Sequence, residues 1–387
     1  MRSIPYATQW IDEDDIRAVI KALKSKYLTQ GPLVAAFEKA IASYCGAKYA
    51  VAVNSGTSAL HIACLAAGLK KGDEAITSPT TFAASANCVL YCGAKPIFAD
   101  IREDTACLDV EEIKKKLSPK TKAIIPVDFA GHPVDLSEIR AIADEKGLLI
   151  IEDAAHALGA KYRGSNVGSG KYADMTIFSF HAVKHITTGE GGMVLTNNDK
   201  LYEKLKIIRT HGITRDPALL TSEHQAPWHY EMQALGFNYR LTDLQCALGI
   251  NQLKKLPLFL KRRKKIVAIY NEAFTGNERL TLLKELQDVD SAHHLYVLRF
   301  NFKRLLVAKE RVFNEYRRQG IGVNVHYMPV YLHPYYRKLG YQQGGCLNAE
   351  NYYAEALTLP LFPEMSDSDV KVVIRATEKI IDKFKKD

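Results

Sequence analysis

Lys184 stands inside the stretch IFSFHAVKHITTGEGGMVL, residues 177–195, between a short apolar run and the strand-like Met193-Val194-Leu195. A lysine between two buried elements is chemically awkward, because an ammonium taken out of water needs a partner or sheds its proton. Taken alone, Lys184 reads as a solvated loop residue. Its company points elsewhere: Ser179 precedes it, Thr187-Thr188 and Gly189-Glu190-Gly191-Gly192 follow it, and Asp153 ends the apolar run before. That set suits an amine holding a phosphorylated aldehyde cofactor as a Schiff base.

Pyridoxal phosphate, the cofactor of that description, asks four things of a protein. It needs the amine, a carboxylate that keeps its pyridine nitrogen protonated, amides and hydroxyls for its phosphate, and planar packing for its ring. Lys184, Asp153, the Thr57/Ser58 turn with Ser179, and Phe82 fill these roles. The Gly56-Thr57-Ser58 triplet serves equally as a helix cap, and Phe82 equally as a core residue. His156 suits the cofactor's ring or its phenolic oxygen, with a helix-capping histidine as the plainer alternative. Other chemistries are poorly served. Asn54-Ser55-Gly56-Thr57-Ser58 does not supply a dinucleotide fingerprint, and no Gly-Lys-Ser/Thr phosphate loop is present. His181 and His185 share a helical spacing but lack a fixed carboxylate, so no metal site is expected.

The elements that must position these residues alternate along the chain. Ala50–Val53, Glu74–Thr77, Lys95–Ala99, Ala123–Val127 and Leu148–Asp153 read as apolar strands. Between them lie helical patterns, among them Ala59–Ala67, Ala83–Tyr91, Val110–Leu117 and Leu136–Lys146. Strands apolar throughout and alternating with helices predict a mostly parallel sheet covered on both faces. Ligands of such sheets gather beyond the strands' carboxyl ends, where Asn54, Thr80, Asp128 and Asp153 all fall. Before this region, residues 12–24 form an amphipathic helix with Ile16, Val19, Ile20 and Leu23 as its stripe, and Leu33–Cys45 a second helix with Phe37 and Ile41 inward. After it come a helix over 200–210 and an irregular stretch, 211–248, expected to border the site or a partner subunit. A long helix follows over 243–270, with a kink expected at Pro257. Beyond it, strands at Tyr296–Phe300 and Val323–Tyr327 with helices at 309–319, 349–356 and 370–384 predict a smaller α+β unit. We divide the chain into a large domain, 1–250, and a small one, 251–387.

At 387 residues with 47% apolar and 25% charged content, the composition is that of a globular protein. No stretch suits a membrane span or a secretory leader. Seven cysteines without paired spacing predict neither disulfides nor zinc, and favour a reducing cytoplasm. The net charge of +9 peaks at Lys261-Arg262-Arg263-Lys264-Lys265, which reads as a solvated helix face rather than a nucleic-acid surface.

Several ordered motifs resemble one family. Phe178-Ser179-Phe180-His181-Ala182-Val183-Lys184 with Gly189-Glu190-Gly191-Gly192 is similar to the cofactor-lysine signature of the DegT/DnrJ/EryC1 sugar aminotransferases. Glu152–Ala157, Asn54–Leu60, Pro79–Ala83 and Gly236–Arg240 resemble that family's pyridine, phosphate, ring-stacking and subunit-crossing stretches. The resemblance implies an aspartate-aminotransferase-like fold (type I) and pyridoxal phosphate on Lys184, with Lys184 and Asp153 catalytic. It also implies a homodimer with shared sites, in which Asn238 reaches the partner's cofactor phosphate. Relatives with histidine in place of the lysine dehydrate their substrate, so Lys184 implies transamination. His211–Asp216, Trp228, Tyr230 and Glu231 resemble the branch making pseudaminic acid precursors. That branch uses L-glutamate and UDP-2-acetamido-2,6-dideoxy-β-L-arabino-hex-4-ulose, with Tyr6, Arg240, His326 and Tyr327 implied at the substrate. Enzymes of 4-amino-arabinose or perosamine type, or a non-catalytic cofactor-binding regulator, are the alternatives.

Overall fold

A computed structural model describes residues 3–222, 226–305 and 307–385. Its centre is a seven-stranded sheet: β1 (Tyr49–Val53), β2 (Glu74–Thr77), β3 (Lys95–Phe98), β4 (Thr121–Ile125), β5 (Leu149–Asp153), β6 (Met175–Ser179) and β7 (Gly192–Thr196). The strands lie in the order β1-β7-β6-β5-β4-β2-β3. Pairing is parallel from β3 through β6, and β7 runs antiparallel to both β6 and β1. The mostly parallel α/β architecture expected from the alternating apolar runs is therefore what forms.

The two-residue period of a strand sends alternate side chains to opposite faces. Ile125, Ile151 and Ile177 pack on one side with α3 (Gly56–Ala66), α4 (Ala84–Tyr91) and α7 (Asp199–Arg209). Ile124 and Ile150 pack on the other side, against α5 (Val110–Lys116) and α6 (Leu136–Lys146). Asp153 follows Ile151 onto the α3/α4 side, whereas Glu152 faces the opposite layer. A third cluster joins Phe178 and Met193 to Phe37 and Ile41 of α2 (Pro32–Cys45). Phe37 is fully buried, its ring 5.0 Å from that of Phe180, just upstream of Lys184. Phe37→Ala is expected to cost about 3–5 kcal/mol of unfolding free energy, read as a lower midpoint in denaturant.

The C-terminal part is built on three antiparallel strands, β8 (Leu280–Leu282), β9 (Tyr296–Phe300) and β10 (Ala356–Leu359). Leu298, Phe300 and Leu357 pack there with Val312 and Tyr316 of α9 (Lys309–Arg318) and Val373 and Ile380 of α12 (Asp367–Phe384). Helix α8 (Asp243–Phe274) begins in a Thr242/Gln245 capping box, runs unbroken through Pro257, and supplies Ile266 and Tyr270 to the same core. We propose the same two-domain division, with α8 as the connecting element across residue 250.

Two local expectations fail for physical reasons. Val323–Tyr327 forms only an isolated bridge, Asn324 to Thr358, and the third strand of the sheet is β10 instead. Helix α1 (Glu13–Leu23) turns Ile16, Ile20 and Leu23 outward, at 43, 44 and 59% exposure. Its inward face carries Asp15, buried between Asn251, Gln252 and Lys255 of α8. In the irregular stretch, Ile213–Thr214 pairs with Glu231–Met232, and α8 starts at Asp243 as expected. Residues 223–225 of that stretch lie outside the described residues. On the basic face of α8, Arg262 and Lys265 pair with Asp367 and Lys264 with Asp290, but Arg263 departs from the solvated face expected for this block: it is buried, with its guanidinium on the backbone carbonyls of His293, His294 and Leu361. Among the described residues no helix is long and apolar enough to cross a membrane.

Candidate active site

Strands β5 and β6 are parallel neighbours with Asp153 opposite Ile177, so their carboxyl ends emerge side by side. The chain then folds back from β6 into β7. Phe180 N–H donates to Gly191 O (2.9 Å), Thr188 N–H to Phe180 O (3.0 Å), and Gly189 N–H to Thr187 Oγ1 (2.8 Å). These bonds close the turn that carries Lys184 and leave its side chain half-buried. Gly192 is required where β7 passes the start of α3, since a Cβ there would lie 2.3 Å from Ser55 O.

Asp153 is 5% exposed. Ser85 Oγ donates to its Oδ2 (2.6 Å) and Ala155 N–H to its Oδ1 (3.2 Å), while Thr81 Oγ1 touches Ser85 Oγ at 2.7 Å. Burial raises the carboxyl pKa, and Ser85, Ala155 and Lys184 oppose that rise. Desolvation lowers the Lys184 amine to about 8, against the pull of Asp153. Near neutral pH, then, the lysine readily supplies an unprotonated amine. The rate at which the cofactor-free protein takes up pyridoxal phosphate covalently is expected to rise with pH and level off above about 8, because only the neutral amine attacks. Stopped-flow absorbance across pH measures this directly.

The start of α3 forms an anion cradle. Ser55 is its N-cap, accepting from Ser58 N–H (3.0 Å), and the amides of Gly56 and Thr57 are early donors that no intrahelical carbonyl reaches. Ser179 lies against this helix start, where a Cβ on Gly56 would meet its Cβ at 3.0 Å. Thr57 is half-buried. Ser58 is more deeply placed, and its hydroxyl is engaged with Asn54 Oδ1 (2.6 Å) and Ser55 Oγ (2.9 Å). The cap of this helix is therefore Ser55 rather than the Gly56-Thr57-Ser58 triplet, within which the Ser58 hydroxyl is already engaged.

Phe82 is 62% exposed, which removes its reading as a core residue. Its ring lies 6.4 Å from that of Tyr327. Tyr327 in turn reaches His156, with its hydroxyl 3.5 Å from His156 Nε2. His156 caps no helix; it is buried, and burial beside Lys184 drives its pKa well down. Among the described residues, His156 Nδ1 and Thr80 Oγ1 are buried polar atoms without a partner.

The other predicted substrate residues are placed unequally. Tyr6 stacks near His326, at 5.7 Å. His326 is buried with Nδ1 at Thr358 Oγ1 (2.8 Å) and Nε2 at Asn324 Nδ2 (3.4 Å), so both its nitrogens are engaged. Asn238 is exposed, its carbonyl accepting from Asn54 Nδ2 (3.5 Å). Arg240 lines a cavity of about 280 Å³ with Gln30, Glu38, Arg209 and Thr210, apart from the residues around Lys184. Asp128 is drawn away too: fully buried, it faces Glu152 on the far side of the sheet, and both carboxyls are pushed up, Glu152 to about 7. His181 is exposed, whereas His185 is in the core with its Nε2–H donating to Ala292 O (3.0 Å). Ser85, Thr81 and Ser55 are additions that the motif reading missed; Thr81 and Ser85, one helical turn apart, were the available signal.

A buried carboxylate, a lysine with a lowered pKa, a helix-start anion cradle, an exposed ring and unpartnered polar atoms fit pyridoxal phosphate. On a mostly parallel sheet they define the class of type I cofactor enzymes that work on amines. Residues 9–378 match the profile of the DegT/DnrJ/EryC1/StrS aminotransferase family, and the chain belongs to that family. It is a pyridoxal phosphate-dependent sugar aminotransferase. It is 42% identical over 386 residues, 99% of either chain, to the UDP-4-amino-4,6-dideoxy-N-acetyl-beta-L-altrosamine transaminase of Campylobacter jejuni serotype O:23/36. The solved structure of Helicobacter pylori PseC, an aminotransferase in the biosynthesis of pseudoaminic acid, superposes with a TM-score of 0.91. That pair shares 33% identity and covers 99% of this chain and 100% of the other. The PLP-form of the sugar aminotransferase Spr1654 from Streptococcus pneumoniae gives 0.91 at 31% identity over 99% of each chain.

Proposed function

We propose that the protein transfers the amino group of L-glutamate to C4 of UDP-2-acetamido-2,6-dideoxy-β-L-arabino-hex-4-ulose, a UDP-linked 4-keto-6-deoxy-N-acetylhexosamine. The names of the Campylobacter and Helicobacter relatives support this substrate class. The observation that carries the chemistry is the pairing of Lys184, its amine held at about 8, with Asp153 at adjoining strand ends. Bound pyridoxal phosphate supplies an aldehyde carbon for the amine and an electron sink for the carbanion.

The chain's residues divide the remaining work. Lys184 anchors the cofactor, then takes the proton from Cα of glutamate and returns one to C4 of the sugar. Asp153, held by Ser85, would serve the pyridine nitrogen. The Gly56 and Thr57 amides with Ser179 would hold the phosphate, Phe82 would cover one ring face, and His156 would serve the phenolic oxygen. Tyr327, beside Phe82 and His156, closes the sugar side with Tyr6 and His326 behind it.

Two copies form the working unit, with Asn238 of each reaching the other's phosphate site. Exposed Trp228, Met232 and Leu235, at 78, 65 and 80%, support that arrangement. All seven cysteines are free, in keeping with a cytoplasmic setting. The test is a panel of UDP- and GDP-linked 4-keto sugars with L-glutamate and product identification. A 4-amino product from the N-acetylhexosulose is expected. Selective turnover of a 4-keto-arabinose or perosamine precursor would replace this substrate, and cofactor binding without turnover of any would favour a regulator.

A further inference from the structure

Three imidazoles are buried in file behind Lys184. His156, His294 and His185 are 6, 3 and 2% exposed, with ring centroids 4.4 Å apart for His156–His294 and 5.3 Å for His185–His294. Among the described residues each keeps a buried Nδ1 without a partner. The backbone that carries the middle ring is anchored from outside the file. His294 N–H donates to Ala130 O (2.7 Å), and its carbonyl accepts from Arg263 Nη1 (3.1 Å). Arg263, 1% exposed, also donates to Leu361 O (3.1 Å) and His293 O (3.3 Å), and among the described residues it has no carboxylate partner. Flanked by Lys184 on one side and Arg263 on the other, with no acid in contact, the imidazoles stay neutral; burial and these cations lower the pKa of each.

His156 has few other restraints. Among the described residues its hydrogen-bond and ring partners are the Tyr327 hydroxyl at 3.5 Å, the Tyr327 ring at 6.3 Å, the Phe129 ring at 6.4 Å and the His294 ring. The closest of these ring contacts is His294, at an interplanar angle of 34°. We propose that His294 is a positioning residue: buried, and with its backbone anchored at Ala130 and Arg263, its ring sets the plane in which His156 meets the cofactor. This rests on the reading that His156 faces pyridoxal phosphate. It adds a residue that touches neither cofactor nor substrate, and it ties their site to Leu361 of the C-terminal part through Arg263.

The test is a mutant cycle read as the dissociation constant for pyridoxal phosphate, titrated by absorbance without substrates. His294→Leu is expected to weaken binding about tenfold, the size of a usual contact-pair coupling. His294→Phe, which keeps a flat neutral ring, is expected to stay within about twofold. In a His156→Asn background, His294→Leu should produce no further weakening. Equal weakening in both backgrounds, or none in the parent, overturns the proposal. Should His294→Leu fail to fold, His294→Phe with imidazole NMR of the cofactor-free protein decides. A shifted His156 resonance supports the ring contact, and an unmoved one overturns it. Parent protein that binds no pyridoxal phosphate would instead overturn the underlying functional reading.

Discussion

Lys184→Ala is expected to lose turnover by a factor of about 10⁴ or more while the protein stays folded. Two roles vanish at once, the covalent anchor and the proton carrier, and no neighbour replaces either. His156, His185, His294 and His326 lie nearby, but burial, which the substitution leaves in place, lowers their pKa values, and His185 and His326 are bonded elsewhere. The fold should not suffer, because the turn is closed by the backbone and threonine bonds around Phe180 and Thr188 rather than by the lysine side chain. Thermal midpoint and turnover measured on one preparation separate the two. A variant that retains turnover within tenfold would contradict the assigned roles.

Asp153→Ala is expected to cost between about 10² and 10³ in turnover, the scale of losing one preorganised charge partner at a developing charge. The variant has a second signature. Asp153 props the Lys184 pKa up against desolvation, so removing it should move the pH midpoint of cofactor uptake below about 8. The sign follows from charge alone: without the carboxylate the ammonium is less favoured, and the neutral amine appears at lower pH. A midpoint that rises, or turnover equal to the parent, would count against the pairing.

Much of this was visible in the chain because it rests on local patterns. The apolar run into Asp153 and the glycine-bordered turn around Lys184 each carry strand and turn signals that tertiary packing did not override. Their convergence followed from the parallel-sheet rule that ligands collect at carboxyl ends. What was hidden depends on contacts between distant segments. Ser85 is an ordinary small residue of α4 until the sheet brings Asp153 to 2.6 Å from its hydroxyl. Asp128 follows an apolar strand as Asp153 does, yet its side chain turns to Glu152 and away from the lysine. The stripe of α1 has a helical period whichever way it faces, and the buried Asp15 decides the direction. Val323–Tyr327 carries β-branched residues but finds only one bridge, because Ala356–Leu359 takes the edge beside β9.

The most direct trial of the central claim is covalent. Load the protein with pyridoxal phosphate, reduce it with borohydride, digest it, and locate the pyridoxyl mass. The account predicts that mass on the peptide containing Lys184 and its absence from Lys184→Ala. A parent protein labelled on a different lysine, or not labelled at all, would contradict it.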